Sequence, residues 1–158
     1  MIALCPAMDT LGLSTTSVGV SAEATELQEC VKRSFRHYLE PRLQLLLPEI
    51  QEAASEQASR VDEATIRAAE LFAYYLPRFG PLPEVSVDPD GEISFDWIAP
   101  SGNKMFSVSV NNQSRLAYAG WFGEKSRIHG VEQLAENCPQ EILRGIQKAT
   151  CSERQGAS

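Results

Sequence analysis

What this sequence lacks bounds it first. No apolar run approaches the roughly 20 residues that a membrane-spanning helix needs. The nearest, Leu43 to Leu47, has five residues with Gln44 inside it. The opening Met1-Ile2-Ala3-Leu4-Cys5-Pro6 has neither the basic start nor the apolar block of a secretory signal. A cytoplasmic protein without membrane contact is therefore expected. Cations are scarce: 14 Lys and Arg face 21 Asp and Glu, for a formal charge of −7. Neither half of the chain is basic, so direct nucleic-acid binding, which needs clustered cations against phosphates, is not expected. Metal and redox motifs are missing too. Cys5, Cys30, Cys138 and Cys151 include no Cys-x-x-Cys pair, and His37 and His129 are the only histidines. Free thiols are expected, and neither a zinc site nor any other metal or cofactor. No Gly-x-Ser-x-Gly, no phosphate-binding Gly-rich loop with Lys-Ser or Lys-Thr, and no His-Glu-x-x-His occurs. No catalytic residue is assigned.

What is present is ordinary globular material. The 158 residues are 43% hydrophobic and 22% charged, enough for one modest core. Residues 1–22 hold one charge, Asp9, and no sustained period, so they read as a flexible tail, as do 151–158. From Ala24, Leu27, Val31, Phe35 and Tyr38 or Leu39 recur at helical spacing as far as Pro41. Glu40-Pro41 starts a second helix, with Leu43, Leu46, Leu47 and Ile50 on one side and a bend at Pro48. Asp62 caps a third, which Pro77 and Gly80 end.

After the rigid Pro81-Leu82-Pro83 the period changes to two. Val85 and Val87, then Ile93, Phe95 and Trp97, then Phe106, Val108 and Val110, then Leu116, Tyr118 and Phe122 mark four strands. Asp88-Pro89-Asp90-Gly91, Pro100-Ser101-Gly102-Asn103 and Asn111-Asn112-Gln113-Ser114 supply the turns. Gly123 to Gly130 reads as a polar loop, Val131 to Leu134 as a short helical turn. Cys138-Pro139-Gln140-Glu141 starts a last helix with Pro at its first position. The expected fold is α+β: N-terminal helices on one face of a four-stranded antiparallel meander, then a C-terminal helix. The expected single domain spans 23–150, with helices over 23–79, the sheet over 81–122 and the last helix over 139–149.

Several segments carry a resemblance. They are Pro81-Leu82-Pro83-Glu84-Val85, Asp90-Gly91-Glu92-Ile93-Ser94, Trp97, and Phe106-Ser107-Val108-Ser109-Val110. Leu116-Ala117-Tyr118-Ala119-Gly120, Phe122-Gly123 and His129-Gly130 complete the set. Over Asp62 to Ile146 the chain resembles an uncharacterised family of small bacterial proteins with no assigned activity. The resemblance implies a bacterial accessory protein encoded beside a partner, and it implies no reaction.

Candidate site residues fall in two places. The segment Gly123-Glu124-Lys125-Ser126-Arg127-Ile128-His129-Gly130 holds Ser126 and Arg127, suited to an anionic group, and His129, a candidate acid or base. Trp121 just before it is out of phase with Tyr118 and Phe122, which puts it on the opposite face of its strand, either as an interaction anchor or under the last helix. On the other side, Glu84, Asp88, Asp90, Glu92 and Asp96 have no Lys or Arg among them. Gly91 falls too early for a calcium loop, so these acids read as guards of an exposed hairpin edge. Asp96 and Glu92 would line the outer sheet face beside Ser94.

The function expected from these residues is non-catalytic protein binding through Trp121, Arg127 and His129. A basic partner, such as a toxin or enzyme to be neutralised, suits the acidity. The alternative is a small enzyme or ligand-binding protein using His129 and Arg127. A homodimer through the N-terminal helices is a further expectation.

Overall fold

The structure is a computed structural model, which describes Glu26, Leu27, Glu29, residues 41–78 and residues 80–151. Its contacts divide the chain into two compact units, Met1–Pro41 and Arg42–Ser158. The second unit holds the whole sheet and, from Arg42 on, the helices packed with it. Both expected tails and the helix expected over 24–40 lie outside the described residues, apart from the helical Glu26, Leu27 and Glu29 and the exposed Cys151; of the helices over 24–59 expected to pair between copies, only the part from Pro41 is otherwise described.

Three helices and five strands are described, in the order α1 (Pro41–Glu56), α2 (Glu63–Tyr75), β1 (Glu84–Val87), β2 (Ile93–Ile98), β3 (Lys104–Val110), β4 (Arg115–Phe122), β5 (Arg127–Gln133) and α3 (Gln140–Thr150). In α1, Leu43, Leu46, Ile50 and Ala54 are buried on one helical stripe. The chain stays helical through Pro48, which is exposed, so the proline neither ends the helix nor costs it an inward-facing position. Asp62 caps α2 as expected, its Oδ1 accepting from the Thr65 amide at 2.7 Å. Leu76 and Pro77 close that helix. The Arg42 guanidinium donates to the carbonyls of Pro77 and Pro81 at 2.9 and 3.2 Å, tying α1 to the connector that enters the sheet.

The sheet is a continuous antiparallel meander, β1-β2-β3-β4-β5. Its inner face carries Ile93, Phe95 and Trp97 from β2, Phe106, Val108 and Val110 from β3, and Leu116 from β4, all buried. Helices α2 and α3 lie on this face, and α1 adds Leu43, Leu46 and Ile50 to the same core. Phe72 of α2 meets Phe95 edge to face at 5.0 Å between centroids. Gly145 of α3 is buried where the helix comes closest to the sheet: a Cβ there would run into the Phe106 ring.

Three expectations need correction. The meander has five strands, because the segment expected as a loop and a helical turn is a tight turn, Gly123–Ser126, followed by β5. Gly123 adopts φ +87°, and the Phe122 amide donates to the Ser126 carbonyl at 2.8 Å, closing the hairpin. The helices on the sheet are also not N-terminal alone, since α3 packs on the same face as α2. Finally, Pro139 is the N-cap of α3 rather than its first residue, and no side chain caps that helix.

Candidate functional site

Strand register assembles the site on the outer face of the sheet, away from α2 and α3. Residues opposite one another across antiparallel strands share a face. Ile98 pairs with Met105, Met105 with Trp121, and Trp121 with Arg127, so these four form one row across four strands. The next row runs Glu84, Asp96, Ser107, Ala119, His129. Ile98, Met105 and Trp121 are 50%, 38% and 41% exposed, against 3% for the inward Trp97. Beneath the Trp121 end lies an open groove of about 400 Å³, lined by Met105, Ser107, Ala119, Trp121, Arg127 and His129 among others. Among the described residues no carboxylate lines it.

The structure thus brings Trp121, Arg127 and His129 together, and places Trp121 on the face its phase predicted. Arg127 and His129 are exposed on β5 and point to the same side. Neither makes an ion pair among the described residues. Ser126 is exposed in the turn, and it is its carbonyl that has a structural task, accepting from Phe122. The turn brings no glycine-rich anion cradle around Ser126. Gly130 lies within the strand, and a Cβ there would overlap the ring and hydroxyl of Tyr118.

The acidic residues form the opposite edge. Asp88 is more than a hairpin guard: its Oδ2 accepts from the Ser94 and Ser109 hydroxyls at 2.6 and 2.8 Å, bridging β2 and β3 across the outer face. Ser94 itself is buried there. Asp96 is half-buried, and its Oδ1 is fully buried without a hydrogen bond among the described residues. Glu92 stands beside the hairpin turn, and desolvation, then the charges of Asp90 and Asp88, push its pKa above the usual glutamate value. Glu92 precedes β2 and does not join the Trp121 groove. No group of three or more His, Cys, Asp or Glu among the described residues is placed to hold a metal.

Asp96 and His129 share a row but stand three strands apart, about 14 Å at ~4.8 Å per strand. They cannot act on one small substrate by direct hydrogen bonds. Of the described cysteines, Cys138 is buried and its thiol is pushed up to about 12 by desolvation, which leaves it unreactive, while Cys151 is exposed.

Sequence reading missed Ile98, Met105, Ser107 and Ala119. The signal for the first two was available. Ile98 follows the inward Trp97 and Met105 precedes the inward Phe106, so both are out of phase with the core, as Trp121 is. Comparison of the chain with protein-family models, curated proteins and solved structures gives no match to any of them. The class rests on fold and surface: an α+β domain with one face of its sheet under helices and an apolar row exposed on the other.

Proposed function

We propose that this is a non-catalytic binding module that holds another protein on its outer sheet face, the partner being basic and encoded with it in a bacterial accessory or defence locus. The observation that carries the reading is the row Ile98–Met105–Trp121–Arg127. Three large apolar side chains, adjacent by register and exposed, end on a guanidinium that makes no ion pair among the described residues. Scattered exposed apolar residues are normal, whereas contiguous ones with a polar rim mark interaction surfaces. Trp and Arg are also the residues on which binding energy concentrates.

Charge supports the nature of the partner. Glu84 and Asp96 sit on the same outer face, Asp90 and Glu92 lie at the adjoining hairpin, and Glu84 to Asp96 contains no cation. A basic protein approaching this edge is attracted by it, while the apolar row supplies the contact that water does not weaken. Neutralising or regulating a basic toxin or enzyme fits this arrangement.

The test is affinity capture from the organism of origin, with Leu45→Ser as control because Leu45 is equally exposed but lies on α1. One basic protein should be retained by wild type and by Leu45→Ser, lost with Trp121→Ser and Met105→Ser, and released by salt. Retention of the same protein by Trp121→Ser removes the surface from the proposal.

A further inference from the structure

The sheet ends on β5, and no described strand pairs with its far side. Antiparallel ladders turn alternate residues toward each neighbour. The Phe122 amide donates to the Ser126 carbonyl at 2.8 Å and the Leu134 amide to the Ser114 carbonyl at 2.9 Å, which fixes the phase. Ile128, Gly130 and Glu132 therefore bond to β4. Arg127, His129, Val131 and Gln133 direct their amides and carbonyls away from the sheet.

The two edges of the sheet are built differently. β1 has four residues, follows Pro83, runs into Asp88-Pro89 and begins with Glu84. Shortness, proline and charge are the usual defences of an edge against strand addition. β5 has seven residues, Arg-Ile-His-Gly-Val-Glu-Gln, with no proline, no lysine and an unbroken register along β4. Charge also varies along it. Lys125 and Arg127 come before Gly130, with Glu124 in the turn, and Glu132 and Glu136 come after it.

We infer that β5 pairs antiparallel with β5 of a second copy of this chain, about a two-fold axis at Gly130, joining two five-stranded sheets into one of ten. This centring overlaps all seven residues. It sets His129 opposite Val131 of the partner subunit, both with backbone groups turned outward and ready to bond. It also sets Arg127 opposite Gln133 of the partner subunit and Glu132 opposite the partner's Ile128, so no like charges face one another along the strand, whereas a parallel copy would align like with like. Gly130 falls opposite its own copy at a non-bonded pair, where Cα atoms come within about 4.5 Å. The Tyr118 ring, already lying over Gly130, then faces its own counterpart across the axis. Such a contact is isologous and closes on itself, leaving no further edge of this kind. Both Trp121 grooves end on one face of the joined sheet, so the dimer is independent of the proposed contact through that face.

The test uses the full chain from about 10 µM to about 1 mM, by sedimentation equilibrium and amide hydrogen exchange. The expected result is a monomer–dimer equilibrium in which the His129 and Val131 amides slow about tenfold or more as dimer forms, while Ile128 and Gly130 are protected throughout. Val131→Pro removes an outward donor without touching the β4 ladder and should weaken the dimer about tenfold or more. Val131→Lys, which keeps the amide but charges the edge, should do the same should the proline variant not fold. A chain monomeric over this whole range, or a dimer indifferent to both substitutions, overturns the inference. So does protection of His129 and Val131 that ignores concentration, which would mean that the chain's own residues cover this edge.

Discussion

The Asp62 carboxylate accepts from the Thr65 amide and hydroxyl and, through Oδ2, from Asn112 Nδ2 at 2.9 Å. These bonds, the Thr65 amide foremost, hold its pKa below the usual aspartate value of 3.8. A carboxyl depressed by folding contributes stability above its unfolded value and loses it as pH falls through the folded one. Asp62→Ala should therefore lower the thermal midpoint at pH 7, and its deficit against wild type should shrink only below pH 3.8. Glu92 is the reverse case. Desolvation, then Asp90 and Asp88, raise its pKa, so the fold carries a penalty once the group ionises. That penalty is absent below the usual glutamate value of 4.5 and complete above the raised one. Glu92→Gln should melt higher than wild type at pH 7, with the advantage gone by about pH 4. Midpoints that track wild type at every pH would show Glu92 to be as well solvated folded as unfolded.

At the scale of elements, α3 depends on one residue without a side chain. Its buried stripe is Ile142, Gly145, Ile146 and Ala149, and Gly145 is where the helix rests on Phe106. Gly145→Ala gains helix propensity yet forces the Phe106 ring, which is wholly buried, to move. Overpacking of this kind costs about 1–3 kcal/mol, so the urea midpoint should fall despite the better helix former. The same logic explains what the sequence disclosed. Strands β2 and β3 were legible because Phe95, Trp97, Phe106 and Val108 alternate with Ser and Asp in the half-buried manner of a covered sheet. β5 was not, because its inward positions are Ile128, Gly130 and Glu132, of which only the first is apolar. Gly130 replaces an apolar residue because Tyr118 of β4 already fills the space above it. That requirement is tertiary, and no local period records it. The helix through Pro48 was legible as well: Leu43, Leu46 and Ile50 keep their helical spacing across the proline, whose side chain faces solvent. In the site, phase alone gave Trp121, but the joining of Trp121 to Arg127, Met105 and Ile98 is a matter of register between strands, which is set only when the hairpins close.

The molecule as a whole carries −7, but its outer sheet face is polarised, with Glu84 and Asp96 at one edge and Arg127 and His129 at the other. Trp121 is a built-in reporter of that polarity. It pairs with Arg127 and lines a groove with no carboxylate among the described residues, while the only other tryptophan, Trp97, is 3% exposed in the core. Quenching of Trp fluorescence should accordingly be two-component, with Trp121→Phe leaving only the resistant part. The sign of the quencher then separates local from global electrostatics. A uniformly acidic surface would repel iodide and admit caesium. At about 0.1 M ionic strength the guanidinium beside Trp121, unpaired among the described residues, acts within a Debye length of about 10 Å, and the carboxylates across the sheet lie at or beyond it. Iodide should therefore quench Trp121 better than caesium does, against the net charge. Arg127→Glu should invert that order, and added neutral salt should erase it. Caesium quenching wild-type Trp121 more strongly would mean that the acidic edge governs the whole face. The proposed basic partner would then have to meet the apolar row and the carboxylates together rather than at separate ends.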